Sequence, residues 1–394
     1  MKKSLSTILG LATLSLVTLT TSCSNDDNKN DEPKSDFVVV RDNLQGEINT
    51  GEVILESGTY KLTGKLIVNN TAKLTIKPGV IIQATAVAED KIEEVRYIAI
   101  AQGGSIDVQG TATSPVIMTS EVQKPGAWGG LVVCGKATIN KGLTASAEVS
   151  ALTYGGKEDN DNSGSIKYLR IEYPGFAYSS SKEFNGLSLF GVGRGTTIDY
   201  VQVYESSDDG FEWFGGTVDA KHLVVSNKAA IVGDDLFDWT EGWIGNGENW
   251  YGIRTNAGNR GIEADNSGDN LSITPISFPN IKNLTLIGAG ANDTSSESQA
   301  LKLRFGTKGK FDNVVLKDWK TGFDVQHDES IAFVGTGLLA TNVKFENVTV
   351  KSKGSATAGT TVDVTKVFTE STTATGAGNG SGVPTWANGW TKGL

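Results

Sequence analysis

The sequence predicts an all-β protein wound as a single-stranded, right-handed parallel β-helix, a solenoid with long loops at its corners. Glycine supplies 48 of the 394 residues and proline only eight, a composition that suits many tight turns better than long helices. From about residue 37, short β-branched runs alternate with Gly, Asn, Asp and Thr, and no helical period persists beyond a turn or two. We therefore expect short strands joined by turns.

One six-residue pattern returns along the chain and sets the period of the solenoid. Its order is apolar, any residue, Asn or Tyr, apolar, any residue, apolar. Neighbouring copies lie 22 to 34 residues apart except across one long gap, from 225 to 281, which fits one coil with loops of varying size. A sandwich or propeller is the alternative, although the hairpin dipeptides that a sandwich needs are scarce. The copies begin at Ile166, Ile198, Ile281, Phe311 and Phe345, with a looser one ending at Val225.

The first residues have the pattern of a bacterial lipoprotein leader. Lys2 and Lys3 precede an apolar run that is too short and too polar to span a membrane, and small residues lead directly to Cys23. The leucine of the cleavage box stands one residue further from Cys23 than usual, so an ordinary cleaved leader is the alternative. We expect residues 1–22 to be removed and Cys23 to carry a lipid.

Three further segments follow the leader. Residues 23–36 combine the lipidated cysteine with a polar, acidic tether that cannot fold alone. Residues 37–352 carry the β-helix, and residues 353–394 form a segment rich in Gly and Thr that is expected to cap it. The closing stretch with Trp386 and Trp390 is expected to seal the open end of the coil stack.

Charge and cysteine content exclude several classes of function. The formal net charge of −10 repels phosphate backbones and attracts metal cations, so nucleic acid is not expected as a partner. The chain has two histidines and two cysteines, one of them Cys23. A zinc or iron site of the Cys/His type therefore cannot be assembled, and no internal disulfide is expected.

A second, sharper repeat carries the strongest candidate site. Residues 208–216 read DDGFEWFGG, and residues 234–242, 26 positions later, read DDLFDWTEG. Stacked coils place equivalent residues about 4.8 Å apart, so the carboxylates of the two copies should form a row along the solenoid. The predicted row consists of Asp209 over Asp235, Glu212 over Asp238, and Glu263 with Asp265 one coil later.

Carboxylates at that spacing need a cation, a shared proton or full solvation. Three interpretations follow: a solvated acidic turn without a ligand, a bound calcium ion, or catalysis. Hard oxygen ligands suit calcium, so Ca²⁺ is the cofactor expected if the row binds one. Proton-sharing carboxylates would instead suit acid/base chemistry.

Catalysis would assign specific roles to the row and its neighbours. A hydrolase would use paired carboxylates such as Asp235 and Asp238 to protonate the leaving oxygen and activate water. A calcium-dependent lyase would use the carboxylates for the metal, and Lys302 or Arg304 to take the proton beside a uronate carboxylate. Gly233-Asp234-Asp235 resembles the Gly-Asp-Asp element of polygalacturonase-like hydrolases, but their Gly-His-Gly and Arg-Ile-Lys elements are absent. No lyase signature surrounds Lys302 and Arg304, so a binding role needs fewer assumptions.

Aromatic residues beside the row offer a second type of site. Trp243 and Trp250 lie in the Gly-rich stretch 242–250 and could form a sugar-stacking platform, with a coil cap as the alternative. Trp213 and Trp239 belong to the repeat and are expected in the core.

Four segments carry a family resemblance, at residues 74–79, 126–132, 162–173 and 208–216. They resemble Bacteroidota surface-exposed lipoproteins with a pectin-lyase-like β-helix, which are often labelled multidrug transporters or hypothetical lipoproteins. The resemblance covers most of the mature chain. It implies a lipid anchor in the outer membrane and exposure to the cell exterior, and it implies no established activity.

The expected function is therefore a rigid, surface-anchored module that binds or scaffolds. Its partner would be a polysaccharide or an outer-membrane protein such as a TonB-dependent receptor. The alternative is a calcium-dependent polysaccharide lyase or hydrolase that uses the acidic row.

Overall fold

A computed structural model describes residues 35–394 apart from 89–90, 180–181, 230–232, 256–257, 294 and 296. The chain divides into two units, Met1–Glu32 and Pro33–Leu394. The predicted leader, the predicted lipidation site Cys23 and nearly all of the predicted tether lie outside the described residues. None of the helices in the described ranges is long and apolar enough to cross a membrane.

The predicted fold class is confirmed, because 22 strands of the described residues form one parallel-paired sheet that winds as a right-handed β-helix. The first nine strands are β1 (Leu44–Ile48), β2 (Gly51–Leu55), β3 (Gly58–Val68), β4 (Ala72–Ile76), β5 (Val80–Ala84), β6 (Tyr97–Ile100), β7 (Ser105–Gln109), β8 (Val116–Ser120) and β9 (Leu131–Cys134). Two antiparallel hairpins lie outside the stack, β10 (Ala145–Ser146) with β11 (Thr153–Tyr154), and β13 (Ala177–Ser179) with β14 (Lys182–Glu183).

The remaining strands include several that are longer, because they pass around a corner without interruption. They are β12 (Gly164–Glu172), β15 (Leu187–Phe190), β16 (Thr197–Tyr204), β17 (Phe211–Phe214), β18 (Ala220–Asn227), β19 (Phe237–Thr240), β20 (Asn246–Arg254), β21 (Ile262–Ala264), β22 (Asn280–Ile287), β23 (Gln299–Leu303), β24 (Gly309–Gln326), β25 (Leu338–Ser355) and β26 (Phe368–Glu370). The helical segments are short: α1 (Asp328–Ile331) and 3₁₀ turns at Ile92–Glu94, Thr365–Val367 and Thr385–Ala387.

Parallel pairing from coil to coil defines three faces of the solenoid. Face A stacks β6, β9, β15, β17, β19, β21 and β23. Face B stacks β2, β4 and β7, then the first halves of β12, β16, β18, β20 and β22. Face C stacks β5 and β8, then the second halves of those same strands. Strands β24 and β25 each run through all three faces.

The third position of the six-residue pattern forms the corner between faces B and C. Its residues adopt positive φ, which Asn tolerates best among residues with a side chain. Their side chains stack or hydrogen-bond from coil to coil, as in Asn283 Nδ2 to Asn249 Oδ1 at 2.8 Å. The corner residues are Tyr168, Tyr200, His222, Asn249, Asn283, Asn313 and Asn342.

The structure corrects two details of the predicted repeat. The copy starting at Phe345 is not equivalent to the others, because the register pairs Asp312 with Thr341 and so makes Asn342 the corner residue. The long gap contains a copy that the apolar pattern misses, at Gly247–Gly252. Glycine replaces an apolar residue there because the space is filled: a Cβ on Gly247 would lie 2.7 Å from the ring of Trp250.

Trp386 and Trp390 do not seal the end of the stack, contrary to the prediction. Trp390 packs edge-on against Tyr168 and Tyr200, with ring centroids 5.8 and 6.0 Å apart. The side chain of Gln202 exchanges two hydrogen bonds with the backbone of Lys392, at 2.7 and 2.8 Å. The last residues therefore run back along the outside of face C, where they contact apolar side chains and hydrogen-bond with Gln202.

The end of the stack is covered by an earlier part of the C-terminal segment. Val364 and Val367 join the core cluster, and Phe368 stacks on Phe323 at 5.7 Å. The core itself runs along the solenoid axis and is aromatic in its middle, where Trp213 stacks on Trp250 at 5.0 Å. A rigid core of this kind fixes the outward side chains of face A.

Candidate functional site

The outward side of face A carries one side chain from each coil in strict register. In the strands of the row, Phe211 and Trp213 point into the core, so Glu212 between them points outward. The same holds in the following coils. The row runs Ser188, Glu212, Asp238, Glu263, Lys302, Asp324, Lys353. The predicted stacking of Glu212 over Asp238, continued by Glu263, is therefore confirmed.

A second row lies in the turn just before these strands. Asp209 Oδ1 accepts a hydrogen bond from the backbone N–H of Asp235 at 2.8 Å, and Asp235 Oδ1 accepts one from the N–H of Arg260 at 2.7 Å. Each aspartate thus satisfies a backbone donor of the next coil, which explains why the repeat has Asp at this position. The predicted stacking of Asp209 over Asp235 is also confirmed.

Basic side chains neutralise the C-terminal half of the two rows. Arg260 Nη1 lies 3.1 Å from Asp235 Oδ2 and 2.8 Å from Glu263 Oε1. Arg304 Nε lies 2.8 Å from Asp265 Oδ1, and its Nη2 pairs with Glu263. Asp235, Glu263 and Asp265 therefore each have a cation that offsets their burial.

Sequence reasoning missed Arg260, although a signal was present. Residues 260–264, Arg-Gly-Ile-Glu-Ala, are a third copy of the repeat that begins at Asp209 as Asp-Gly-Phe-Glu-Trp. In this copy the aspartate is replaced by arginine. Glu297, which pairs with Arg260 Nη2 at 3.0 Å, comes from the loop between β22 and β23 and has no repeat to mark it.

The N-terminal half of the rows is acidic and lacks such compensation. Among the described residues, no lysine or arginine forms an ion pair with Glu212 or Asp238. Glu212 Oε2 accepts a hydrogen bond from Asn185 Nδ2 at 2.5 Å. Carboxylate oxygens of Asp209, Glu212 and Asp238 all lie within 4.8 Å of one another. Two similar groups adjoin this one, Asp208–Asp209–Asp234 and Asp235–Asp238–Glu263.

Burial and mutual repulsion raise the pKa of these carboxyl groups. Burial is the main cause of a pKa well above the ordinary value for Asp209, Glu212 and Asp238, and neighbouring carboxylates add to it. Burial also raises the pKa of Asp235 to about 7 and that of Glu263 to about 8; the cation of Arg260 limits the rise for Asp235, and those of Arg304 and Arg260 limit it for Glu263. Near neutral pH the carboxyl groups of Asp209, Glu212 and Asp238 must therefore hold protons or a bound cation.

The geometry of Asp209, Glu212 and Asp238 suits calcium. Calcium takes oxygen ligands at about 2.3–2.6 Å, so two ligands of one ion lie up to roughly 5 Å apart. The separations within 4.8 Å meet that limit without rearrangement of the strands. Calcium stays a prediction on these residues, because it rests on the donor set alone.

Trp243 and Trp250 do not form a ligand platform, contrary to the prediction. Both indoles are fully buried in the core and stack with Trp213, at 4.6 and 5.0 Å. Their Nε1 atoms donate to backbone carbonyls of Val218 and Ala220. The prediction interpreted the Gly-rich stretch as a loop with exposed rings. Its glycines instead make room for the rings inside the coil.

The residues of the catalytic alternative are brought together, but Asp235, Lys302 and Arg304 are occupied by charged partners. Lys302 Nζ lies 3.0 Å from Glu297 Oε2, and Arg304 is held by Asp265 and Glu263. Asp235 is held by Arg260, and Asp238 lies in the acidic half. A free base beside the carboxylates, which a lyase requires, is not found among Lys302 and Arg304 in this arrangement.

Comparison with known proteins identifies the domain. A family model described as a pectate-lyase-like beta-helix domain matches residues 46–391. Neither a curated protein nor a solved structure gives a significant match.

Proposed function

Because the chain belongs to the family of pectate-lyase-like β-helix domains, we propose that face A binds an acidic polysaccharide through a calcium ion. The observation that supports this most strongly is the group Asp209, Glu212 and Asp238, whose oxygens lie within 4.8 Å of one another without a basic partner in the described part of the chain. These three side chains would hold the ion. Calcium in turn supplies a positive charge to which a ligand carboxylate can bind.

The shape of the site favours a linear ligand. Its side chains repeat once per coil along a straight axis, about 4.8 Å apart, and the row changes from acidic at Glu212 to basic at Lys302. A polymer with regularly spaced carboxylates can meet a calcium ion at one end and basic side chains at the other. The net charge of −10 would otherwise repel such a ligand, so binding should require the metal.

Binding is a better match to this arrangement than catalysis. Lys302 and Arg304, the residues that would take a proton, each donate to carboxylates instead. The carboxyl groups with raised pKa could serve acid/base chemistry, but Asp209, Glu212 and Asp238 are also the proposed calcium ligands. Once they bind calcium, they are not available as general acids or bases.

A polymer-binding assay tests the proposal. Residues 24–394 should sediment with insoluble polygalacturonate in calcium and not in chelator. Asp238→Asn should weaken binding about tenfold or more, equivalent to about 1.4 kcal/mol, because it removes one calcium ligand. Glu248→Gln is the matched control, since Glu248 is a half-exposed carboxylate on face B that pairs with Lys221. Equal retention with and without calcium would contradict the proposal.

The same proposal places the protein on the outer membrane, lipid-anchored at Cys23 and facing the exterior. The leader and the acidic tether support this location. We expect Cys23→Ser to abolish labelling by radioactive palmitate and to move the protein from the membrane fraction to the soluble fraction. Unchanged membrane association in this variant would refute the anchor.

A further inference from the structure

The basic half of face A holds a carboxylate that comes from outside the coil stack. Glu297 lies on the loop between β22 and β23, and its Oε2 atom is 3.0 Å from Arg260 Nη2 and 3.0 Å from Lys302 Nζ. Arg260 Nε also donates to this oxygen, at 3.2 Å. One oxygen thus accepts hydrogen bonds from basic side chains of two successive coils.

The two sides of this contact differ in burial. The side chains of Arg260 and Lys302 are each 9% exposed, whereas that of Glu297 is 31% exposed. Arg260 is also fixed from behind, because its Nη1 atom contacts Asp235 and Glu263. The donors are therefore held by the solenoid, and the acceptor is the part that solvent, or a ligand, can reach.

We propose that Arg260 and Lys302 form a subsite for a carboxylate of the polymer, and that Glu297 occupies this subsite until the ligand replaces it. The inference rests on the proposed function and names the part of the site that binds the polymer directly. Exchanging one carboxylate for another keeps the charges and hydrogen bonds of the subsite. Emptying it would instead leave a buried cation unpaired, which is far more costly.

The spacing of the two halves specifies the ligand further. The register from Glu212 through Asp238 and Glu263 to Lys302 comprises three coil steps, or roughly 14 Å. A single uronic acid can reach only one half. An oligomer can bridge both halves, and the second contact then benefits from a high effective concentration.

Titration calorimetry with an oligogalacturonate in calcium tests the subsite. Glu297→Gln should bind about tenfold more tightly than the wild type, because the ligand no longer competes with an internal carboxylate. Glu248→Gln is the matched control: Glu248 is a half-exposed carboxylate on face B that pairs with Lys221 at 3.0 Å, so its loss should leave the affinity unchanged. Adding Lys302→Gln to Glu297→Gln should remove the gain. Unchanged or weaker binding by Glu297→Gln overturns the subsite.

The design separates the subsite from the proposed function. If the wild type binds in calcium and Glu297→Gln shows no gain, the subsite is wrong and the calcium-dependent function stands. If the wild type shows no calcium-dependent binding, the function is wrong. In that case a gain of calcium-free binding by Glu297→Gln would still support the subsite, and its absence would refute the subsite too.

Discussion

Replacing Arg260 by glutamine is expected to lower the free energy of unfolding by about 3–5 kcal/mol at pH 8. The guanidinium contacts Asp235 at 3.1 Å and Glu263 at 2.8 Å, and both carboxylates are almost fully buried. Glutamine keeps much of the length of the side chain but removes the charge. Urea unfolding followed by tryptophan fluorescence measures the change.

The loss should shrink at low pH. Asp235 and Glu263 have folded-state pKa values raised to about 7 and about 8, so at pH 5 both carry a proton in the folded protein and need no cation. We expect a loss of about 1 kcal/mol there. Lys221→Gln is the control, since its exposed pair with Glu248 is worth at most about 1 kcal/mol at either pH. An equal loss at pH 5 and pH 8 for Arg260→Gln would mean that Arg260 acts through packing.

The second large effect is a fall in the stability of the calcium-free protein as pH rises from about 4 through the raised folded-state pKa values of the acidic half. Burial raises the pKa of Asp209, Glu212 and Asp238 in the folded state above the value in the unfolded chain. Stability from such a group is present below the unfolded pKa, near 4, and is lost as pH rises through the folded pKa. Each group contributes up to about 1.4 kcal/mol per pH unit within that window.

Comparing Asp238→Asn with the wild type, in chelator and in calcium, isolates the contribution of these carboxylates to stability. Asp238→Asn, unfolded in chelator, should be about 1–3 kcal/mol more stable than the wild type at pH 8 and should show a shallower decline with pH. Calcium should restore the wild type and leave the variant nearly unchanged. Thermal unfolding across the pH range provides the data. A destabilised Asp238→Asn in chelator at pH 8 would show that the carboxylate contributes favourable contacts rather than strain.

A group of side chains that destabilises the folded protein when no ligand is bound is typical of a functional site. The acidic half of face A contrasts with the corner between faces B and C, where side-chain amides are paired from coil to coil, as in the chain from Asn249 through Asn283 to Asn313. Buried like charges are retained where ligand binding compensates for them. This contrast within one solenoid is the physical reason to assign the function to face A.

The parts of the fold that repeat could be predicted from the sequence. The six-residue pattern identifies the corner where Asn283 and Asn313 lie, because positive φ and coil-to-coil hydrogen bonds both favour Asn. The 26-residue repeat places Glu212 over Asp238 because one coil has one register. Periodicity carries this information directly.

The parts that depend on loops and side-chain volume could not be predicted. Glu297 reaches Arg260 from a loop whose path has no periodic signal. Trp250 resembles an exposed aromatic in a Gly-rich loop, yet Gly247 opens the space that buries it. Trp390 lies along face C because Tyr168 and Tyr200 stack there, a surface that exists only after the coils have formed.

The measurement that tests the central claim most directly is calorimetric titration of calcium into residues 24–394 at pH 8. We predict saturable heat from a site that is lost in Asp238→Asn and retained in Glu248→Gln, because Asp238 lies in the carboxylate group of face A and Glu248 lies on face B. Absence of heat in the wild type, or heat that Asp238→Asn retains in full, would contradict the assignment of a calcium site to face A.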